Sequence, residues 1–484
     1  MNEIFLTIPV FLPMLLGAIL FFIPFKNQKQ RNLYVFVSLL ASSVSVWLAT
    51  FLVPENTFTI LQFTDDLSFS LRLDGAGKLF SCLSATLWPI TAIYAFDYMK
   101  HEEHHNMFYC FFVMAFGTTM GIAMAENILT MYLFYEMLTL TTIPLVAHGM
   151  TKKHNRAARK YMIYSIGGAS FAFAGVVFLI INGAGTFRLG GNLIAVENET
   201  LAQILYLFAF MGFGVKSAVF PFHGWLPTAS VAPTPVTALL HAVAVVKAGA
   251  FALIRLTYYA YGTEFLRGSW VQYTVMIFSI FTILYGSASA LRQKHFKRRL
   301  AYSTVSNLSY IGFATTLMTP AGLVAAFCHL IFHSVIKIGA FFAAGSVLHN
   351  SEREYVPQLE GIGKKMPWTF GFFTISALAL TGIPPFCGFF SKWYISTAAL
   401  ESAGVLEIIG VVVLLISALL TAIYMFSPIV KAFFPRENVE VNLDGVKEAK
   451  PAMLIPMGIC AVLCIIMGFF VKIPVGIIGE VLGL

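Results

Sequence analysis

Eight ionisable residues stand inside apolar stretches of the sequence, where charge is costly and where ion or proton movement is the usual reason for keeping it. They are Glu136, Lys216, His241, Lys247, His329, His333, Lys337 and Lys392. The densest group is the string HLIFHSVIK, which sets His329, His333 and Lys337 at positions i, i+4 and i+8. On a helix these positions drift by only about 40° per step, so the three side chains form one polar stripe. Histidine and lysine both exchange protons, and a stripe of them bridged by water is a ladder for proton transfer. Two histidines at this spacing also suit zinc, but no HExxH glutamate accompanies them and a fixed metal would block the route. A haem between them would be disturbed by the neighbouring lysine. Taken singly, each residue has a bland reading: a buried lysine bonded to a carbonyl, or a core histidine in a hydrogen bond. Eight in one chain favour the functional reading.

Lysine suits this chemistry. Low dielectric draws it toward neutrality, and a nearby carboxylate restores its charge. At an effective dielectric of about 20, a unit charge about 4 Å away changes the energy by about 4 kcal/mol. Moving Glu136 relative to Lys216 would therefore load or release a proton. Arginine stays protonated and is unsuited to the task.

Two related strings interrupt apolar runs, PFHGWL at Pro221–Leu226 and PFCGFF at Pro385–Phe390, each with a lysine nearby. Proline and glycine free backbone groups in a membrane helix, which is tolerated where the break faces protein or water. Pro221, Gly224 and Pro227 mark one predicted discontinuity, and Pro384, Pro385 and Gly388 the other. The alternative is a pair of ordinary helix-end turns. The strings do not superimpose, because Lys216 precedes its Pro-Phe and Lys392 follows its own.

The elements that hold these residues are legible from composition. Of 484 residues, 58% are hydrophobic and 11% charged. Apolar runs of about 20 residues, each long enough to span a bilayer, recur at about 4–24, 32–53, 76–98, 107–124, 126–148, 160–184, 201–220, 233–260, 269–291, 300–318, 320–348, 367–390, 404–430 and 451–473. Backbone groups in lipid must bond internally, so the runs are predicted helices. Strands are conceivable only in the loop at about 54–74. With the N-terminus outside, most of the 31 lysines and arginines fall in inner loops, and only Arg72, Lys78, Arg188 and Arg267 on the outer side. This is the positive-inside pattern. It places both termini outside and accounts for the net charge of +8, so nucleic acid is not an expected partner. Arg255, late in its span, is expected to snorkel outward. The six cysteines form no CxxC pair and no zinc or iron–sulfur spacing. The expected class is an all-α polytopic membrane protein, one membrane domain over 1–484 with about 14 transmembrane helices.

The segment KSAVFPFHGWLPTASVAPTPVTALLHAVAVVKAGAFALIRL, from Lys216 to Leu256, resembles the antiporter-like, proton-translocating membrane subunits of complex I and their relatives in Mrp antiporters and membrane-bound hydrogenases. LDGAGKLF, LFYEMLTLTTIPL, HLIFHSVIKIGAFFAAGSV and GIPPFCGFFSKWYI carry the resemblance through nearly the whole chain in order. It implies two five-helix repeats of inverted topology, spans four to eight (107–260) and nine to thirteen (269–430), with spans seven and twelve broken. It further implies an ion pair of Glu136 with Lys216, a central lysine at Lys247, a hydrated axis through His329, His333 and Lys337, and an exit at Lys392. His241 would be a helper. Thr228 departs from the pattern, standing where many relatives carry an acid. The resemblance also implies a component of a multi-subunit, redox-driven ion pump or, alternatively, of a cation/proton antiporter; a non-pumping scaffold or quinone-site subunit is the third reading. Expected partners are other membrane subunits, homologous antiporter-like ones among them, with lipid, protons and sodium. No cofactor or redox centre is expected on this chain, and a prokaryotic cell membrane is the expected location.

Overall fold

The computed structural model describes residues 2–64, 67–193, 196–436 and 443–484. Parts of the loops expected at 54–74 and 431–450, namely 65–66 and 437–442, lie outside the described residues, as do 1 and 194–195. The chain runs through α1 (Ile8–Phe22), α2 (Gln28–Leu52), a hairpin of β1 (Phe58–Gln62) and β2 (Ser68–Leu71), α3 (Gly75–Tyr98), α4 (His105–Ala123), α5 (Ile128–Ala147) and α6 (Lys152–Ile181). It continues through α7 (Glu199–Gly214), α8 (Trp225–Ala229), α9 (Thr234–Ala242), α10 (Val245–Ile254), α11 (Thr263–Leu266), α12 (Trp270–Arg292), α13 (Phe296–Thr316) and α14 (Pro320–Ser351). It ends with α15 (Pro367–Thr381), α16 (Cys387–Ser402), α17 (Val405–Phe433), α18 (Pro451–Phe469) and α19 (Lys472–Leu482). The hairpin is antiparallel, pairing Phe58 with Leu71 and Gln62 with Ser68.

Eleven helical stretches among the described residues are long and apolar enough to cross a membrane by length and composition. Of the remaining apolar runs, α7 and α15 are shorter apolar helices, and α13 opens on the basic stretch Lys297, Arg298 and Arg299. The helices begin where the sequence offers a cap. Asn27, Asp74, Asn127, Thr151, Asn198, Ser269 and Thr319 each accept a hydrogen bond from a main-chain N–H of the following first turn, closing donors that the helix leaves unpaired.

The centre of the molecule is the segment from α9 through α10, where every residue from 232 to 262 is buried, packed against α14, most of which is buried too. The periphery is apolar and exposed, as at Phe51 (76%), Leu140 (64%) and Leu419 (69%), the arrangement of a surface that meets hydrocarbon rather than water.

Arg255 does not snorkel outward. It is fully buried in a π-helical turn after α10, forms a two-pronged hydrogen-bonded ion pair with Asp74, and lies over the rings of Phe187, Phe251 and Tyr259. A carboxylate within reach removes any reason for the guanidinium to seek solvent. Burial pushes the Asp74 carboxyl up, but the charge and hydrogen bonds of Arg255, the Gly77 N–H and the Arg72 charge outweigh it and hold the group below its usual range. The stabilisation is thus complete above the unfolded value near 3.9 and lost as pH falls through the depressed folded value. Asp74→Asn keeps an N-cap but strands a buried guanidinium. It is expected to lower stability by about 3–5 kcal/mol, read as a fall in Tm, and to remove that acid-side loss. An unchanged Tm would show the pair to be dispensable.

Candidate functional site: a buried lysine–histidine axis

The first break follows α7. The chain turns through a tight 3-10 segment at Phe222–Gly224 before the single turn of α8. The Phe220–Pro221 bond is cis. The Trp225 indole N–H donates to the Val215 carbonyl at 2.7 Å, and the Phe220 N–H donates to Thr282 Oγ1 at 3.0 Å, so the freed backbone groups are satisfied as a broken span requires. Pro221 and Gly224 lie in the break, whereas Pro227 lies within α8. Lys216 is fully buried beside it. Gly249 on α10 makes room, because a Cβ there would stand 2.4 Å from the Ser217 nitrogen.

The expected Glu136–Lys216 ion pair is not made: among the described residues no carboxylate lies within 4.0 Å of the Lys216 ammonium. The ammonium instead donates to the Tyr135 carbonyl and lies 3.4 Å from the centre of the Tyr135 ring. Glu136, the next residue on α5, shares a face with Leu133 and Leu140, which are exposed. Its Oε1 is buried without a protein partner. The two charges remain within electrostatic reach of each other.

A further break falls where none was expected, inside span eight. It separates α9 from α10 at Val243 (φ −131°, ψ −50°) and Ala244 (φ −82°, ψ −92°), between His241 and Lys247. No proline or glycine marks it; the string is HAVAVVK.

Beyond this break the predicted residues meet. The Lys247 ammonium lies 2.7 Å from His333 Nδ1. The rings of His333 and His329 stack with centroids 5.5 Å apart. His329 Nδ1 lies 2.9 Å from Ser391 Oγ, the residue before Lys392, and its ring is 5.2 Å from that of Tyr310. The Lys392 ammonium stands 5.5 Å from the same Tyr310 ring. Lys247, His333, His329, Ser391 and Lys392 thus form one side-chain sequence linking α10, α14 and α16, all buried. The Nε2 atoms of His329 and His333 have no protein partner, the kind of site where ordered water binds.

The second break falls at the expected prolines, but its span runs on beyond it. Span twelve does not end near residue 390: α15 stops at Thr381, and a second half, α16, begins at Cys387. Pro384 and Pro385 lie between, joined by a cis bond, and Gly388 is the second residue of α16. A Cβ on Gly388 would stand 1.9 Å from the Ala379 carbonyl oxygen, so only glycine lets the halves overlap. Lys392 therefore lies within the second half. Its ammonium donates to the last carbonyls of α15, Leu380 at 2.8 Å and Thr381 at 2.9 Å, where a cation also complements the helix dipole.

Lys337 leaves the histidine stripe. Its ammonium donates to the Leu300 carbonyl at 3.1 Å and to the Ser303 hydroxyl, both on α13. His241 packs on Phe341 with both ring nitrogens lacking protein partners. Lys297, assigned to an inner loop by sequence, is buried in the first turn of α13 and donates to the Ala232 carbonyl at 2.9 Å. It lines a cavity of about 350 Å³ with His154, Glu102 and Glu354. Apolar runs do not reveal it, because it sits in a basic cluster that reads as solvated.

The sequence profile of the family described as NADH:quinone oxidoreductase/Mrp antiporter, TM matches residues 125–421. The chain is 31% identical to a Na(+)/H(+) antiporter subunit from Alkalihalophilus pseudofirmus over 93% of its own length and 60% of that protein's. Against other curated Na(+)/H(+) antiporter subunits it spans about half, as in the 53% covered in Staphylococcus haemolyticus, at 30% identity over 84% of this chain. Its fold superposes with a TM-score of 0.86 on a chain of the Mrp complex from Dietzia sp., at 21% identity, covering all of this chain and 52% of that one. It also superposes with a TM-score of 0.84 on a chain of the membrane-bound sulfane sulfur reductase, an archaeal respiratory membrane complex, at 23% identity and with 99% and 96% coverage. The matched residues 125–421 contain the whole axis from Glu136 to Lys392, and with the multi-pass helical fold they make this chain a member of the NADH:quinone oxidoreductase/Mrp antiporter transmembrane family.

Proposed function

We propose that this chain is an antiporter-like membrane subunit that moves protons along the Lys247–His333–His329–Lys392 axis, within a multi-subunit ion pump. The observation that carries the reading is the 2.7 Å contact of Lys247 with His333, continued by the stacked His329 and by Ser391 to Lys392. Each member can hold or pass a proton, and the unpaired ring nitrogens offer water the places to bridge the remaining gaps. Glu136 and Lys216 form the coupling point, with the carboxylate biasing a lysine held only by a carbonyl and a ring. Lys392 is the exit. Lys337, with His241 and Lys297, forms a branch toward the cavity beside Lys297, a proton entry from the side carrying the basic loops. Spans four to eight and nine to thirteen, over 107–260 and 269–430, form the inverted repeats, with both termini on the outer side of a prokaryotic cell membrane. Partner subunits supply the driving reaction.

Two readings of that reaction have separate support. The Alkalihalophilus relative is named as part of a Na(+)/H(+) antiporter, which favours exchange of a cation for protons. The likeness to a chain of an archaeal respiratory membrane complex accords with redox drive. Proton flux into vesicles containing the purified complex, driven first by a sodium gradient and then by substrate oxidation, separates them.

Lys216→Met and Glu136→Gln are expected to cut translocation in reconstituted vesicles at least about tenfold while leaving assembly largely intact; normal pumping by both assembled variants would overturn the coupling assignment. His333→Leu removes the link between Lys247 and His329 and is expected to abolish flux with near-normal complex yield. Retained flux would move the route elsewhere. Lys392→Ala tests the exit separately, and an unchanged proton-transfer rate would count against that role.

A further inference from the structure

Outside the axis, a strongly charged cleft of about 700 Å³ lies between α6, α8 and the start of α13. Lys152, Lys153, Arg156, Arg159, Lys160 and Arg298 line it, and no acidic residue does. Among the described residues none of the six forms an ion pair. Lys153 and Arg298 also reach the neighbouring cavity that holds Glu102 and Glu354, so Lys152, Arg156, Arg159 and Lys160 are the charges that belong to this cleft alone. Lys160 turns inward but finds only a neutral partner, donating to Thr228 Oγ1 at 3.3 Å. The cleft closes on the first helix break, where a Cβ on Gly224 would meet Lys160 Nζ and Tyr164 Oη at 3.4 Å. Among the described residues no carboxylate pairs with this concentration of positive charge.

The cleft also leads into an apolar face. Ile163, one of its lining residues, is 59% exposed, and Ile166 one turn further along α6 is 46% exposed. Gly167, Ser170 and Ala174 leave this side of the helix open. Positive charge at the end of a spanning helix, directly above an open apolar track, matches a molecule with an anionic head and hydrocarbon tails.

We propose that this cleft binds an anionic phospholipid of the leaflet facing the basic loops. Its phosphate sits among Arg156, Arg159 and Lys160, and its acyl chains run along the Ile163–Ile166 face of α6. Arginine matches phosphate oxygens with paired donors, and Tyr164 supplies a hydroxyl at the head-group level. A free phosphate would use the same cations but not the apolar track.

The test is lipid retention by the purified full complex, measured by native mass spectrometry with phosphatidylglycerol and phosphatidylcholine supplied equally and inorganic phosphate as competitor. Phosphatidylglycerol is expected to be retained in preference and to resist millimolar phosphate. Arg156→Gln/Arg159→Gln is expected to lower that retention about thirtyfold, the share of two interfacial cations, while Arg156→Lys/Arg159→Lys keeps most of it. If the double variant fails to assemble, Arg159→Gln alone is expected to give about a fivefold loss. Equal retention of the two lipids, displacement by phosphate, or retention unchanged in the neutralised variant overturns the proposal. A photo-crosslinker at Ile163 provides an independent reading: a lipid adduct supports the site, and a crosslink to a partner polypeptide overturns it.

Discussion

A buried ammonium must be given hydrogen bonds, but it need not be given a countercharge, and this structure depends on the difference. Lys216, Lys337, Lys392 and Lys297 all donate to main-chain carbonyls, those of Tyr135, Leu300, Leu380 with Thr381, and Ala232. Lys247 meets an imidazole. None meets a carboxylate within ion-pair distance among the described residues. A carbonyl accepts from neutral and charged amine alike, so it fixes the position of the group without fixing its charge. Arg255 is the contrast within the same molecule. It receives a carboxylate, Asp74, in two-pronged geometry and is surrounded by rings. An always-charged group is locked by its partner, whereas five titratable ones are left free to change state.

For Lys392 the carbonyl partners are available because a helix is broken, whereas Lys216 and Lys337 share carbonyls inside the continuous helices α5 and α13. A continuous helix uses its carbonyls internally, and only at its last turn are they free. Ending α15 at Thr381 leaves the Leu380 and Thr381 carbonyls free, and these are the acceptors that Lys392 uses. Ending α7 at Gly214 exposes the Val215 carbonyl, which the Trp225 indole closes. The break inside span eight lies between His241 and Lys247, and brings the lysine to His333 on α14. At Lys392 the polar group and the irregular backbone are therefore one feature, since each satisfies what the other leaves open.

Much of this was legible in the sequence. Hydropathy placed the helices. Pro-Phe with a glycine marked both expected breaks, and the residues of the axis were found because charge in an apolar run is rare. What escaped has physical reasons. The break at Val243–Ala244 carries no proline or glycine, because tertiary packing rather than local chemistry holds that backbone. Lys297 is buried at the foot of α13 within a basic cluster that reads as solvated. Arg255 was expected to reach outward because its partner, Asp74, is distant in sequence and lies in a loop. The Glu136–Lys216 pair was implied by the family resemblance, but the distances depend on rotation of α5, which points Tyr135 rather than Glu136 at the lysine. Spacing within one helix is readable, and the rotation of one helix against another is not.

That rotation gives the two breaks different mechanics. Lys392 donates to the carbonyls of its own span, so its hydrogen bonds follow α15 and α16 alone. Lys216 is held by a different span: the carbonyl and ring that hold it belong to Tyr135 on α5, and the nearest interacting carboxylate belongs to the adjacent Glu136. A small turn of α5 thus changes two things together, withdrawing the carbonyl and ring while moving the carboxylate. One movement exchanges a neutral acceptor for a charged one, and the two differ by several kcal/mol in how strongly they favour the ammonium form. No equivalent exists at Lys392, where a turn of the helix carrying the lysine weakens its hydrogen bonds without bringing up a charge. The asymmetry between KSAVFPF and PFCGFFSK therefore has a physical content: a lysine before its break is held by a neighbouring span, and a lysine after its break is held by the end of its own.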